Sequence, residues 1–146
     1  MVNYVKTTRV RGVYINKNDL VFLFQSEKSR INGCLTLPGG EIYAGEPPVE
    51  GLNRKIQEEL GVAPKFIEKS PFFVENHVVD RTLYRTLAYQ VKLPIELNGS
   101  PNGMTPNDSP FEFISLKDSW ERQYMLTICA RHILHSRQLV QLMQRR

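Results

Sequence analysis

The sequence predicts a mixed α/β (α+β) fold, with strands on both sides of one internal helix and a helical segment closing the chain. Three features carry this. β-Branched and aromatic runs flank residues 46–60, those residues repeat with helical period, and residues 117–146 read as helical. Because several strands are joined by short turns, the sheet should be mixed rather than wholly parallel.

From the N-terminus, "RVRGVYI" and "DLVFLFQ" are separated by "NKND" and read as a hairpin. "CLTLPGG" reads as a short strand ending in a Pro-Gly-Gly turn. The helix follows over Glu46–Leu60. Pro47 and Pro48 suit its first turn, where a missing N–H costs little, Glu46 complements the dipole, and Gly61 is a C-terminal stop. Val49, Leu52, Ile56 and Leu60 fall within an arc of roughly 80°, the stripe to be buried. Glu46, Glu50, Arg54 and Glu58 cluster opposite, with Lys55 and Glu59 on one flank. "KFIEKSPFFVEN" and "RTLYRTLAYQVKL" read as strands, Gly99–Pro110 as a loop, "FEFISL" as the last strand, and a helical segment fills most of Lys117–Arg146.

The chain has 146 residues, 41% hydrophobic and 23% charged, and should form one domain over residues 1–146. No stretch reaches the roughly 18 uninterrupted apolar residues of a membrane span. No apolar run follows the N-terminal charges, so a cytoplasmic protein is expected. Cys34 and Cys129 are too few for a disulfide framework, and no CxxC or His/Cys cluster suggests zinc. The net charge is +4, with much of the excess in "ARHILHSRQLVQLMQRR". A polyanion partner such as RNA is one reading; a solvated helix face with cations near the end of a helix dipole is the other. Nothing aromatic interleaves those charges, which favours the second.

The chemistry concentrates in "LPGGEIYAGEPPVEGLNRKIQEELGV". An amphipathic helix with Glu50–Arg54 and Lys55–Glu59 pairs would account for part of it. It would not account for a leading Leu-Pro-Gly-Gly, a glutamate at 46 and a closing Arg-x-x-x-Glu-Glu-x-Gly-Val. The stretch resembles the box of the Nudix hydrolase (MutT-like) family, G-x5-E-x7-R-E-U-x-E-E-x-G-U, with U a bulky apolar residue. Gly40, Glu46, Arg54, Ile56, Glu58, Glu59, Gly61 and Val62 match it, and Lys55 stands in place of a glutamate.

The resemblance implies a Nudix-like α/β/α sandwich around a mixed β-sheet. It also implies Mg²⁺- or Mn²⁺-dependent cleavage of a diphosphate bond in a nucleoside diphosphate linked to some group X. By resemblance Glu58 and Glu59 are metal ligands. Arg54 orients a carboxylate of the loop-helix unit, and Glu46 completes the site or its support. Gly39 and Gly40 give a substrate close approach to backbone. Lys55 cannot bind metal; it adds two units of positive charge relative to the pattern, competes for Glu58 and Glu59, and could instead contact substrate phosphate. The expected activity is therefore a pyrophosphohydrolase of reduced rate, with a silent nucleotide-binding or sensing module as the alternative. In some members a water-activating base comes from the loop before the last strand, which here offers Asp108; Glu50 and Glu75 are weaker candidates. Arg9, Arg11, Phe22 and Tyr84 could line a nucleotide pocket. His77, His132 and His135 read as surface or packing residues. The group X and the oligomeric state stay open.

Overall fold

The computed structural model describes residues 4–27, 33–95 and 102–146. Its main sheet has the order β3 (Gly39–Glu41), β1 (Val5–Val13), β6 (Thr82–Lys92), with β4 (Phe66–Ile67) and β5 (Phe73–Val79) both on the far side of β6. β1 runs parallel to β6, from Val5↔Thr82 to Val13↔Gln90, while β3, β4 and β5 pair antiparallel. The sheet is mixed, as the hairpin-rich sequence predicts. A second sheet of order β2 (Val21–Phe24), β8 (Pro110–Ile114), β7 (Asn102–Met104) is antiparallel throughout.

Helix α1 (Pro48–Leu60) lies over one face of the main sheet. Gly51, Leu52, Ile56 and Leu60 are buried and Val49 partly so, nearly the stripe read from the sequence. Leu52, Ile56 and Leu60 pack with Val10, Leu87 and Val91 and with Phe22, Phe24, Phe111 and Phe113 of the second sheet. Each such side chain contributes about 1.5–3 kcal/mol on burial. The other face is covered near the chain's end by α3 (Ile128–Leu134) and α4 (Arg137–Gln144), whose Ala130, Ile133, Leu134 and Leu139 meet Val13, Leu37, Phe73 and Ala88. Helices on both faces of a mixed sheet make the α/β/α sandwich.

Several local expectations are corrected. "RVRGVYI" and "DLVFLFQ" meet only at the turn, through Phe22 N–H to Tyr14 O (2.9 Å) and the Ile15↔Val21 bridge, and then part to join different sheets. Gly39 and Gly40 are not a turn after a strand but the strand β3 itself. Within Gly99–Pro110, residues 102–104 form β7, while 99–101 lie outside the described residues. The closing helical segment is three short helices. α2 (Leu116–Glu121) is capped by Ser115, α3 by Thr127 and α4 by Ser136, with a 3₁₀ turn at Gln123–Met125. Each cap hydroxyl accepts from a backbone N–H three residues on and restarts the chain in a new direction. Neither Cys34 nor Cys129 is in a disulfide. No described helix is long and apolar enough to cross a membrane.

Candidate active site

The N-terminus of α1 has no side-chain cap. Pro47 occupies that position in extended conformation, and Pro48 begins the helix. Its end is closed twice: Gly61 turns left-handed and returns its N–H to Gln57 O (3.0 Å), and the Asn107 amide donates to Glu58 O (2.9 Å). With both ends fixed, the polar flank of α1 faces β3 and the Arg9–Arg11 stretch of β1 across an open cleft of about 940 Å³. That is near the top of the roughly 300–1,000 Å³ usual for small-ligand sites.

β3 reaches the helix because its first residue has no side chain. A Cβ on Gly39 would stand 2.0 Å from Val10 O, and its φ of +132° belongs to glycine. The strand can therefore lie flat on β1 and aim the Gly39 N–H at α1, where Glu59 Oε1 accepts it at 2.7 Å. Burial pushes the Glu59 carboxyl up from its ordinary value near 4.5, opposed by that N–H and by the charges of Lys55 and Arg11.

Arg54 holds the other carboxylates. Its Nε donates to Glu46 Oε2 (2.9 Å), Nη2 to Glu46 Oε1 (3.0 Å) and Nη1 to Glu58 Oε1 (3.0 Å), while its guanidinium lies 4.1 Å from the centre of the Tyr43 ring. Tyr43 N–H also donates to Glu46 Oε1 (3.0 Å). The bidentate arginine keeps Glu46 ionised below its usual range, and the two carboxylates raise Arg54. Arg54 thus pairs with Glu46 and Glu58 and not with Glu50.

Lys55 extends across the bare face of Gly40, its Cε 3.0 Å from where a Cβ would stand. Arg9 and Arg11 join it in the lining. They alternate along β1 and so share one face of the sheet. Arg9 lies 4.0 Å over the Tyr84 ring and 3.8 Å from Glu41; Arg11 donates from Nη1 to Leu37 O (2.9 Å), while its Nε is buried with no partner among the described residues.

Of the residues singled out in the sequence, Gly39, Gly40, Lys55, Glu58 and Glu59 line the cleft together. Glu46 and Arg54 stand beside it as mutual support. Asp108 sits at φ +57° in the turn Thr105–Ser109, off the lining, while its neighbours Asn107 and Ser109 are on it. Glu75 pairs with His132 of α3 (3.1 Å) and lies off the lining, His77 stacks on Tyr84, and His135 stacks on Trp120. Phe22 is core. Sequence reasoning missed Glu27, Glu41 and Asn107; Glu41 ends the short strand β3 and Asn107 sits in the Thr105–Ser109 turn, neither with a periodic signal.

No three His, Cys, Asp or Glu side chains among the described residues converge as a metal-binding group. The pair Glu58 and Glu59 nevertheless suits Mg²⁺, which takes one or two protein carboxylates and completes its shell with water and substrate phosphate. Glu46 does not suit it, since Arg54 and the Tyr43 N–H occupy both of its oxygens.

The NUDIX domain family matches residues 6–133 of the chain. Among characterised relatives, the Helicobacter pylori RNA pyrophosphohydrolase is 29% identical over 68% of this chain and 70% of that protein. The Escherichia coli 8-oxo-dGTP diphosphatase is 31% identical over 46% of this chain and 56% of that protein. The Methanocaldococcus jannaschii ADP-ribose pyrophosphatase is 37% identical over 35% of this chain and 30% of that protein. The match thus spans less than two thirds of the last two. The solution structure of the E. coli ORF135 protein superposes with a TM-score of 0.67 at 17% identity, over 90% of this chain and 88% of that one. The MutT NUDIX hydrolase from Burkholderia pseudomallei gives 0.61 at 20%, over 89% and 96%. With its fold shared by these structures and its sequence matched from β1 into α3, the protein belongs to the NUDIX domain family.

Proposed function

We propose that the protein is a pyrophosphohydrolase acting on a diphosphate linkage in a nucleotide or nucleotide derivative. The observation that carries this is the convergence, in one cleft, of the carboxylates Glu58 and Glu59 with the cations Arg9, Arg11 and Lys55. The activities named for the three relatives share a diphosphate bond on a nucleotide, which supports the substrate class.

In this reading Glu58 and Glu59 would hold Mg²⁺ or Mn²⁺, with substrate phosphate oxygens completing the shell. The bound ion would neutralise charge at the diphosphate and lower the pKa of the attacking water. Arg54 fixes the rotamers of Glu46 and Glu58, and the Gly39 N–H fixes Glu59, so neither carboxylate has to be ordered when substrate arrives. Arg9, Arg11 and Lys55 receive the phosphates. Gly40, bare of a side chain, leaves room for the Lys55 stem to lie across it, which keeps the ammonium beside the β3 backbone where the phosphates would be received. Because Asp108 lies off the lining, the proton-accepting role passes to Glu27 or Glu41, the lining carboxylates that neither Arg54 nor Gly39 engages.

Lys55 favours a second reading, a nucleotide-binding module without turnover, because its ammonium competes with a cation for Glu58 and Glu59. The deciding experiment is a Mg²⁺ and Mn²⁺ activity screen over nucleoside triphosphates, nucleotide sugars, dinucleotides and capped RNA. It should be run beside Glu58→Gln with Glu59→Gln. Divalent-dependent product from the native protein, absent in the folded double variant, is expected. Tight ligand binding with no product in any reaction would establish the second reading.

A further inference from the structure

We propose that the open edge of β5 is a self-pairing surface that joins two copies of this chain into one continuous sheet. This is independent of the chemistry in the cleft. β5 and β6 are linked by Asp80 and Arg81, whose φ values of +46° and +65° make a two-residue turn of the primed type. Such a turn makes its flanking residues, Val79 and Thr82, a hydrogen-bonded pair. Counting back along the register, Glu75 and His77 also direct their main chains at β6. Val74, Asn76 and Val78 then direct their N–H and C=O groups outward, and among the described residues no strand pairs with that edge.

Soluble proteins blunt such edges with lysine, proline or a bulge in mid-strand. "FVENHVV" has neither lysine nor proline, and Val74 and Val78 are 44% and 54% exposed. The occupant follows from the order of the residues, which is complementary to itself. An antiparallel copy placed with Asn76 on a twofold axis sets Val74 against Val78 and Glu75 against His77, with the outward main-chain groups of 74, 76 and 78 all exchanging bonds. Centring on Glu75 would oppose two carboxylates, and centring on His77 would oppose two imidazoles and leave Glu75 facing Val79. Only the Asn76 register sets the Glu75 carboxylate against an imidazole and keeps valine on valine. A closed twofold pair also consumes both edges, which an open stack would not. The cleft lies toward the opposite end of the sheet, on β1, β3 and α1, and stays open in such a dimer.

Light scattering on the full chain, over a series from micromolar to millimolar, tests this. The native protein should approach twice the 16.9 kDa of one chain. Asn76→Pro removes the N–H on the axis and should return the mass to one chain with the helical circular dichroism intact. Two charge variants then read the register. Val74→Lys with Val78→Lys opposes like charges and should weaken dimerisation at least tenfold. Val74→Glu with Val78→Lys opposes unlike charges and should restore it. A monomer throughout the series, a dimer that survives Asn76→Pro, or equal behaviour of the two charge variants would overturn the proposal.

Discussion

Lys55 and Glu59 set the electrostatics of the cleft from opposite directions. The lysine brings a cation against the bare Cα of Gly40, where the family pattern has a carboxylate. Lys55→Glu removes that cation and adds a ligand, so it should raise Mg²⁺ affinity and turnover by on the order of tenfold, the scale of one altered group near a metal. Titration calorimetry and steady-state rates check this, and weaker substrate binding in the variant would show that the ammonium holds phosphate instead. Glu59 has its carboxyl raised by burial. Since the ion needs the carboxylate, divalent affinity should fall on acidification at a pH above 4.5, the group's ordinary value. The stability effect has the opposite sense. A raised folded pKa favours the protonated form in the fold, so this group's contribution is present below 4.5 and is lost as pH rises through the raised value. Metal affinity and melting temperature measured across that window should therefore move in opposite directions. Arg54→Ala frees Glu46 and Glu58 together and should cost roughly 10–100-fold in metal affinity or activity.

Strand β3 and helix α1 form the unit that makes the site, and the two can be uncoupled. Gly39→Ala drives a methyl into Val10 O, so denaturant unfolding should show a loss of about 3 kcal/mol or more. Ile56→Ala, a fully buried position on the same helix, should cost about 2–5 kcal/mol without touching the polar flank. Most of α1 was legible in the sequence. Its end followed from Gly61 and its buried face from spacing, because these are decided within a few residues; its start, read at Glu46, falls at Pro48 because Pro47 holds the cap position in extended conformation. Strand partners were not legible. β1 and β2 meet at a tight turn yet join different sheets because their partners, β6 and β8, lie far along the chain. For the candidate site, Gly39, Gly40 and the polar residues of α1 were singled out by the family resemblance that the box carries and do line or flank one cleft, whereas Glu41 and Asn107 reach it only through long-range pairing and turn geometry. Arg9 and Arg11 gave a signal in their alternation on one strand, but alternation does not say what that face meets.

The molecule as a whole is two cores on either side of one sheet, and the C-terminal helices belong to the second core. Leu139 is fully buried with Leu142 and Met143 packed beside it, and Arg146 reaches back to Asp19 Oδ1 (3.0 Å) and Asn16 O (2.9 Å). The basic tail is thus anchored to the first turn of the chain. Leu139→Ala should cost about 2–5 kcal/mol in a denaturant titration, with the loss shared by the whole domain in a single transition. The parallel pairing of β1 with β6 has a consequence in time. β1 lies between β3 and β6, so this interior strand is made well before its partner and cannot be completed until residues near 90 have emerged. The β5–β6 hairpin, closed by a two-residue turn, can form locally and early. Docking of β1 onto it closes a long loop at high entropic cost, which places that step late in folding and sets the refolding rate in the slower part of the range for mixed α/β domains.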